Sequence, residues 1–142
     1  MMLSTKVRYA VMAMVELAGR SSARPVPLSE LAQSQSIPLP YLEQIFARLG
    51  KKGLVESVRG PGGGILLARG AQYVTVGEIV EAMEEKMKMT RCEGQHELGC
   101  MPTHARCATH DLWEGLEQRM HEYLNGIALS DIHPRHERLP RL

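Results

Sequence analysis

Three cysteines fall within the nineteen residues that end at His110, from Cys92 onward, and the rest of the 142-residue chain has no other cysteine. Seven residues separate Cys92 from Cys100, six separate Cys100 from Cys107, and two separate Cys107 from His110. Thiolates and an imidazole in one short polar stretch form the donor set that soft transition metals and iron–sulfur clusters take. An odd number of thiols cannot all pair as disulfides, so an oxidised framework is a poor account. Zinc would accept the same donors, with Cys107 and His110 spaced as half of a site. Buried inert thiols fit badly, because the surrounding residues are polar. His96 and His104 lie in the same stretch and could supply the imidazole. His110 is favoured because it stands at the start of the next predicted helix, where the backbone would hold it in place. His121, His133 and His136 have no cysteine nearby and read as surface residues.

The elements that must position these donors are legible in the chain before them. Apolar residues recur at Val7, Ala10, Val11, Met14, Leu17 and Ala18, one face of a helix capped at Ser4 and stopped at Gly19. Ser21 to Pro27 reads as a loop. Ser29 is placed as the cap of a short helix carrying Leu28, Leu31 and Ala32. Pro38 and Pro40 bias the residues before them away from helix and mark a break. A second helix starts near Pro40, buries Leu42, Ile45, Phe46 and Leu49, and ends around Gly53. Leu54 to Val58 alternates as a strand does, and Ile65 to Leu67 supplies a second. Between them, Gly60-Pro61-Gly62-Gly63-Gly64 can only be a hairpin tip. The expected fold is mainly α with a small β-hairpin: a winged helix-turn-helix domain followed by a long C-terminal dimerisation helix.

In that arrangement the second helix of the pair enters the major groove. Tyr41, Glu43, Gln44, Arg48, Lys51 and Lys52 would line its exposed face and far end. Gln44 suits adenine, and Glu43 can accept from cytosine N4 while repelling phosphate, so it would act by rejecting wrong sequences. Lys51 and Lys52 are phosphate contacts, which add affinity without specificity. Arg59, at the base of the bare Gly60-Pro61 wing, is placed to enter a narrow minor groove. Charge agrees with this division: residues 1–70 carry a net +5 and residues 71–142 a net −4, within an overall +1. A basic first half suits a polyanionic partner.

Beyond His110, Trp113, Leu116, Met120, Tyr123 and Ile127 recur at alternating steps of three and four, with Glu114, Glu117, Arg119 and Glu122 off the seam. A helix of about eighteen residues with such a stripe must bury it. It packs either on its own domain or on the same helix of a second chain, and a two-fold dimer would match palindromic half-sites. No stretch has the length and apolarity of a membrane span, and no basic-then-apolar leader opens the chain, so a cytoplasmic protein with no membrane partner is expected. An enzyme is disfavoured: no nucleophile–base motif is present, and Gly60 to Gly64 lacks the Lys-Ser/Thr ending of a phosphate loop. A small electron carrier would need neither wing nor recognition helix.

The segments Lys6-Val7-Arg8-Tyr9-Ala10-Val11, Tyr41-Leu42-Glu43-Gln44, Gly53-Leu54-Val55, Val58-Arg59-Gly60-Pro61-Gly62-Gly63-Gly64 and Val76-Gly77-Glu78-Ile79 resemble the bacterial winged-helix family of IscR, NsrR and RirA. The likeness runs to about Ile132. Thr90-Arg91-Cys92 and Cys107-Ala108-Thr109-His110-Asp111-Leu112-Trp113 look most like its iron–sulfur cluster regulators. The resemblance implies a homodimeric repressor or activator that holds a [2Fe–2S] cluster through Cys92, Cys100, Cys107 and His110. It also implies a double-stranded DNA operator, the cluster-assembly machinery as cluster donor, and control of cluster-assembly genes. Relatives that sense nitric oxide or iron with a [4Fe–4S] cluster, and a zinc-stabilised regulator, are the alternatives. The spacers between the cysteines are longer than is common for that branch, and Pro38 and Pro40 replace small hydroxyl residues. On this reading residues 1–86 are the DNA-binding domain, 87–110 the cluster-binding loop, 111–130 the dimerisation helix and 131–142 a flexible tail.

Overall fold

A computed structural model describes residues 3–20, 24–90, 99–103 and 105–132. Cys92, His96, His104, His133, His136 and the tail from residue 133 lie outside the described residues.

The helix α1 spans Thr5–Gly19, and Ser4 caps it by accepting the Val7 N–H through its hydroxyl. Val7, Ala10, Ala13, Met14 and Leu17 form its buried stripe. The short helix α2, Leu28–Gln35, starts after Pro27, whose carbonyl accepts the Glu30 and Leu31 N–H groups. Ser29 therefore sits inside the first turn and is not the cap: the locked φ of Pro27 with an extended ψ already terminates the preceding strand-like segment. Ser36 closes α2 in the left-handed conformation, φ 54°. The helix α3, Leu39–Lys51, carries Pro40 in its first turn and buries Leu42, Ile45, Phe46 and Leu49. Burial of side chains of this size contributes roughly 2 kcal/mol each, which fixes the roll of α3 and hence the face it exposes.

Leu54 donates to the Leu49 carbonyl and belongs to the turn, so strand β1 is Val55–Val58, one residue shorter than its pattern suggests. Strand β2, Gly64–Leu67, pairs antiparallel with it, Val55 opposite Leu67 and Val58 opposite Gly64. Val26 adds a one-residue bridge on the other side of β2, exchanging two hydrogen bonds with Ile65 of 2.9 and 2.8 Å. After a 3-10 turn at Ala71–Tyr73, helix α4, Val76–Ala82, begins with a capping box between Thr75 and Glu78.

Helix α5 is His110–Asn125. It ends short of residue 130, because Gly126 caps it and the chain folds back. Val76 N–H donates to Ile127 C=O, Leu129 N–H donates to Val74 C=O, and Ile127 and Leu129 are buried in the core. A second 3-10 turn, Leu129–Asp131, follows, and Ile132 packs against the core. Among the described residues no helix is long and apolar enough to cross a membrane.

Candidate DNA interface and metal centre

The roll of α3 leaves Glu43, Gln44 and Lys51 exposed on one side, as their phase with the buried Leu42, Ile45, Phe46 and Leu49 requires. Tyr41 is half-buried and meets Tyr9 of α1 edge to face, ring centres 5.7 Å apart. Arg48 lies on the flank of α3 that faces α4, where it pairs with Glu84 at 3.4 Å. Arg59, Gly60 and Pro61 are exposed on the wing, whose turn uses positive φ at Gly60 (94°) and Gly62 (74°).

The angle between α1 and α2 is held by Glu16. Its carboxylate accepts from Arg20 at 2.8 Å, from Ser34 Oγ at 2.5 Å and from the Gln35 amide. Burial pushes this carboxyl up, but the bonds from Ser34, Gln35 and Arg20 outweigh it and hold the group below the ordinary carboxylate range. Glu16 carried no recognisable motif, because two of its partners, the adjacent Ser34 and Gln35, lie on another helix.

The donors of the sequence motif converge where α5 begins. Cys100, Cys107 and His110 line one cavity of about 230 Å³ with Met89, Thr90, Thr109 and Trp113. His110 is 5% exposed, and its Nδ1 lies 2.9 Å from Cys100 Sγ. Its Nε2 faces the Glu114 carboxylate one helical turn on, at 3.9 Å. Cys107 Sγ is 3.7 Å from the Thr109 hydroxyl, and bonds from that hydroxyl and from the Thr109 backbone hold the Cys107 thiol below its usual range. A thiol favoured as thiolate, just ahead of a helix N-terminus, is a competent metal donor. Two thiols and a buried imidazole facing a common cavity fit the chemistry of a thiolate-ligated metal or cluster. Cys92 lies outside the described residues.

The apolar stripe of α5 divides. Met120 and Tyr123 pack against the chain's own core, and Ile127, beyond the helix, is buried within it. Trp113 and Leu116 are 39% and 42% exposed, with Leu112 beside them at 62%. Glu117, which the heptad reading sets off the seam, is half-buried on the inner side of α5 and accepts the Met89 N–H at 3.1 Å. Nothing in its spacing announces this role, since the partner is a backbone group twenty-eight residues away.

The chain matches the family Rrf2, an iron-dependent transcriptional regulator, over residues 3–135. It is 48% identical over 132 residues to the HTH-type transcriptional regulator IscR of Escherichia coli O1:K1, covering 93% of this chain and 80% of that protein. The solved structure of T. potens IscR matches with a TM-score of 0.75 at 36% identity, over 92% of this chain and 85% of that one. CymR, the global cysteine regulator of B. subtilis, matches with a TM-score of 0.75 at 30% identity, over 92% and 95%. The helix order, the wing and these relatives agree on a DNA-binding regulator, not an enzyme: the chain belongs to the Rrf2 family of transcriptional regulators.

Proposed function

We propose that this IscR-type regulator acts as a homodimer whose DNA binding responds to a [2Fe–2S] cluster held by Cys92, Cys100, Cys107 and His110. The observation that carries the reading is the convergence of Cys100, Cys107 and His110 on one cavity at the start of α5. A bound cluster would supply an iron- and sulfide-dependent tie between the loop and that helix. The protein's own part is positioning. Burial and the Cys100 contact orient the imidazole, Thr109 favours the Cys107 thiolate, and α5 connects both to the domain that carries α3. An imidazole in place of a fourth thiolate makes the site less negative and more sensitive to protons, which suits a sensor that must lose its cluster when supply falls.

DNA is read by Tyr41, Glu43, Gln44, Arg48 and Lys51 of α3 and by Arg59, Gly60 and Pro61 of the wing. The exposed Leu112, Trp113 and Leu116 support pairing with a second chain through the first half of α5. Cluster-assembly proteins would donate the cluster, and their genes would be the regulated ones, giving feedback on supply.

The test is iron, sulfide and zinc analysis with an absorption spectrum on protein purified without oxygen, for wild type and His110→Ala. About two irons and two sulfides per chain, with visible bands shifted in the variant, is the expected result. Zinc alone, or nearer four irons, would assign the site to a structural metal or to a [4Fe–4S] sensor.

A further inference from the structure

One wall of the candidate metal cavity is a short piece of non-helical chain, held by an acidic side chain at each end. Met89 and Thr90 line the cavity together with Cys107, Thr109 and His110. They follow the buried Met87, which packs into the core, and Glu85, whose carboxylate accepts both the Ser4 N–H and the Ser4 hydroxyl at 3.0 Å. The strap from Glu85 to Thr90 is thus pinned to α1 at its start. At its far end the pin is Glu117 of α5, which accepts the Met89 N–H at 3.1 Å. Glu117 stands one helical turn beyond Trp113 and two beyond His110, on the side of α5 that faces the cavity wall, and it is half-buried where its neighbours Leu116 and Gln118 are exposed.

We infer that Glu117 is a positioning residue for the metal centre: its bond to Met89 holds the Met89–Thr90 wall against α5 and so sets how long the cavity retains a thiolate-bound metal. This rests on the metal-site reading above. A carboxylate is suited to the task because a charged acceptor makes a stronger bond to a backbone N–H than a neutral one. A half-exposed bond of this kind contributes toward the low end of the charged range. Losing it should speed metal release about tenfold, equivalent to about 1.4 kcal/mol.

The probe is zinc(II), loaded onto the reduced full-length chain and withdrawn by a chromophoric chelator. Release is followed in parallel through the fluorescence of Trp113, the only tryptophan of the chain and a wall of the same cavity. Glu117→Ala should release zinc about tenfold faster. Glu117→Gln, whose amide oxygen still accepts, should stay within about threefold of wild type. The Met89 amide should exchange with deuterium slowly in wild type and in Glu117→Gln, and fast in Glu117→Ala. Equal release from Glu117→Ala and wild type, or equally fast release from both variants, would overturn the inference. Amide exchange in the zinc-free wild type tests the clamp even where the alanine variant fails to fold, and a rapidly exchanging Met89 amide would also overturn it. A wild-type chain that takes up no zinc while still binding duplex DNA would remove the metal-site reading itself, and this inference with it.

Discussion

Gly64 offers a sharp test of how the wing is held. A β-carbon at this position would lie 2.4 Å from the carbonyl carbon and oxygen of Val26 and 2.7 Å from the Pro27 nitrogen. These are backbone atoms, so no side-chain rotation relieves the collision. Restoring ordinary contact near 3.4 Å requires the 26–27 segment and β2 to part by about 1 Å. That breaks both Val26–Ile65 hydrogen bonds, worth about 1 kcal/mol each. It also partly uncovers Val26 and Ile65, which are buried at 8% and 6% exposure, for about 1 kcal/mol more. Gly64→Ala should therefore destabilise the fold by about 3 kcal/mol, or lower Tm by about 10 °C in a chain of this size. Gly62 is the control. It has φ 74° and open space around its Cα, so Gly62→Ala costs only the left-handed penalty of about 1 kcal/mol. Urea unfolding of both variants at one fixed chain concentration gives the comparison, and titration of a duplex reads the consequence for the wing. Gly64→Ala should also weaken DNA binding more than Gly62→Ala, because Arg59 and the tip hang from the displaced strand. Equal stability of the two variants would refute the argument that the Val26 bridge anchors the wing.

Three further outcomes follow from the same geometry. Arg59→Ala should weaken duplex binding and reduce the slope of log affinity against log salt by about one, which a salt series measures; an unchanged slope would place Arg59 off the phosphate backbone. Glu84→Gln should raise duplex affinity by up to about fivefold, because Arg48 no longer pairs with a neighbouring carboxylate across 3.4 Å; the gain is capped by the small worth of an exposed ion pair. Glu16→Ala should cost about 1–2 kcal/mol of unfolding free energy at neutral pH, measured in denaturant. The Glu16 carboxyl is held below its ordinary value of 4.5 in the folded chain, so its contribution is complete above that pH and is lost as pH falls through the lower folded value. The difference between wild type and variant should accordingly shrink in acid, and a difference that grows would contradict the sign.

Much of the fold could be read locally. The stripe of α1, the proline break before α3, the four core residues of α3 and the glycine-tipped hairpin each depend on spacing along a few turns, and spacing survives in the chain. The thiols and His110 were equally plain, because metal chemistry restricts the residue types that can serve. Three features depended on which distant segments meet. Pro27, not Ser29, starts α2, since the local geometry of proline overrode a favourable capping residue. The stripe of α5 reads as one seam, yet Tyr123 packs against the chain's own core and Ile127 is buried in it while Leu116 is left exposed, because Gly126 turns the chain back to bridge Thr75 to Ala128. Glu16 and Glu117 look like ordinary surface acids on helices. Their distinguishing hydrogen-bond partners, Ser34 and Gln35 for Glu16 and the Met89 N–H for Glu117, lie eighteen or more residues away. The sequence by itself determined the elements, the donor types and the family, because periodicity and ligand chemistry are local properties. The tertiary structure decided which acids became anchors and which apolar residues stayed open to a partner, because both depend on contacts that only the folded chain makes.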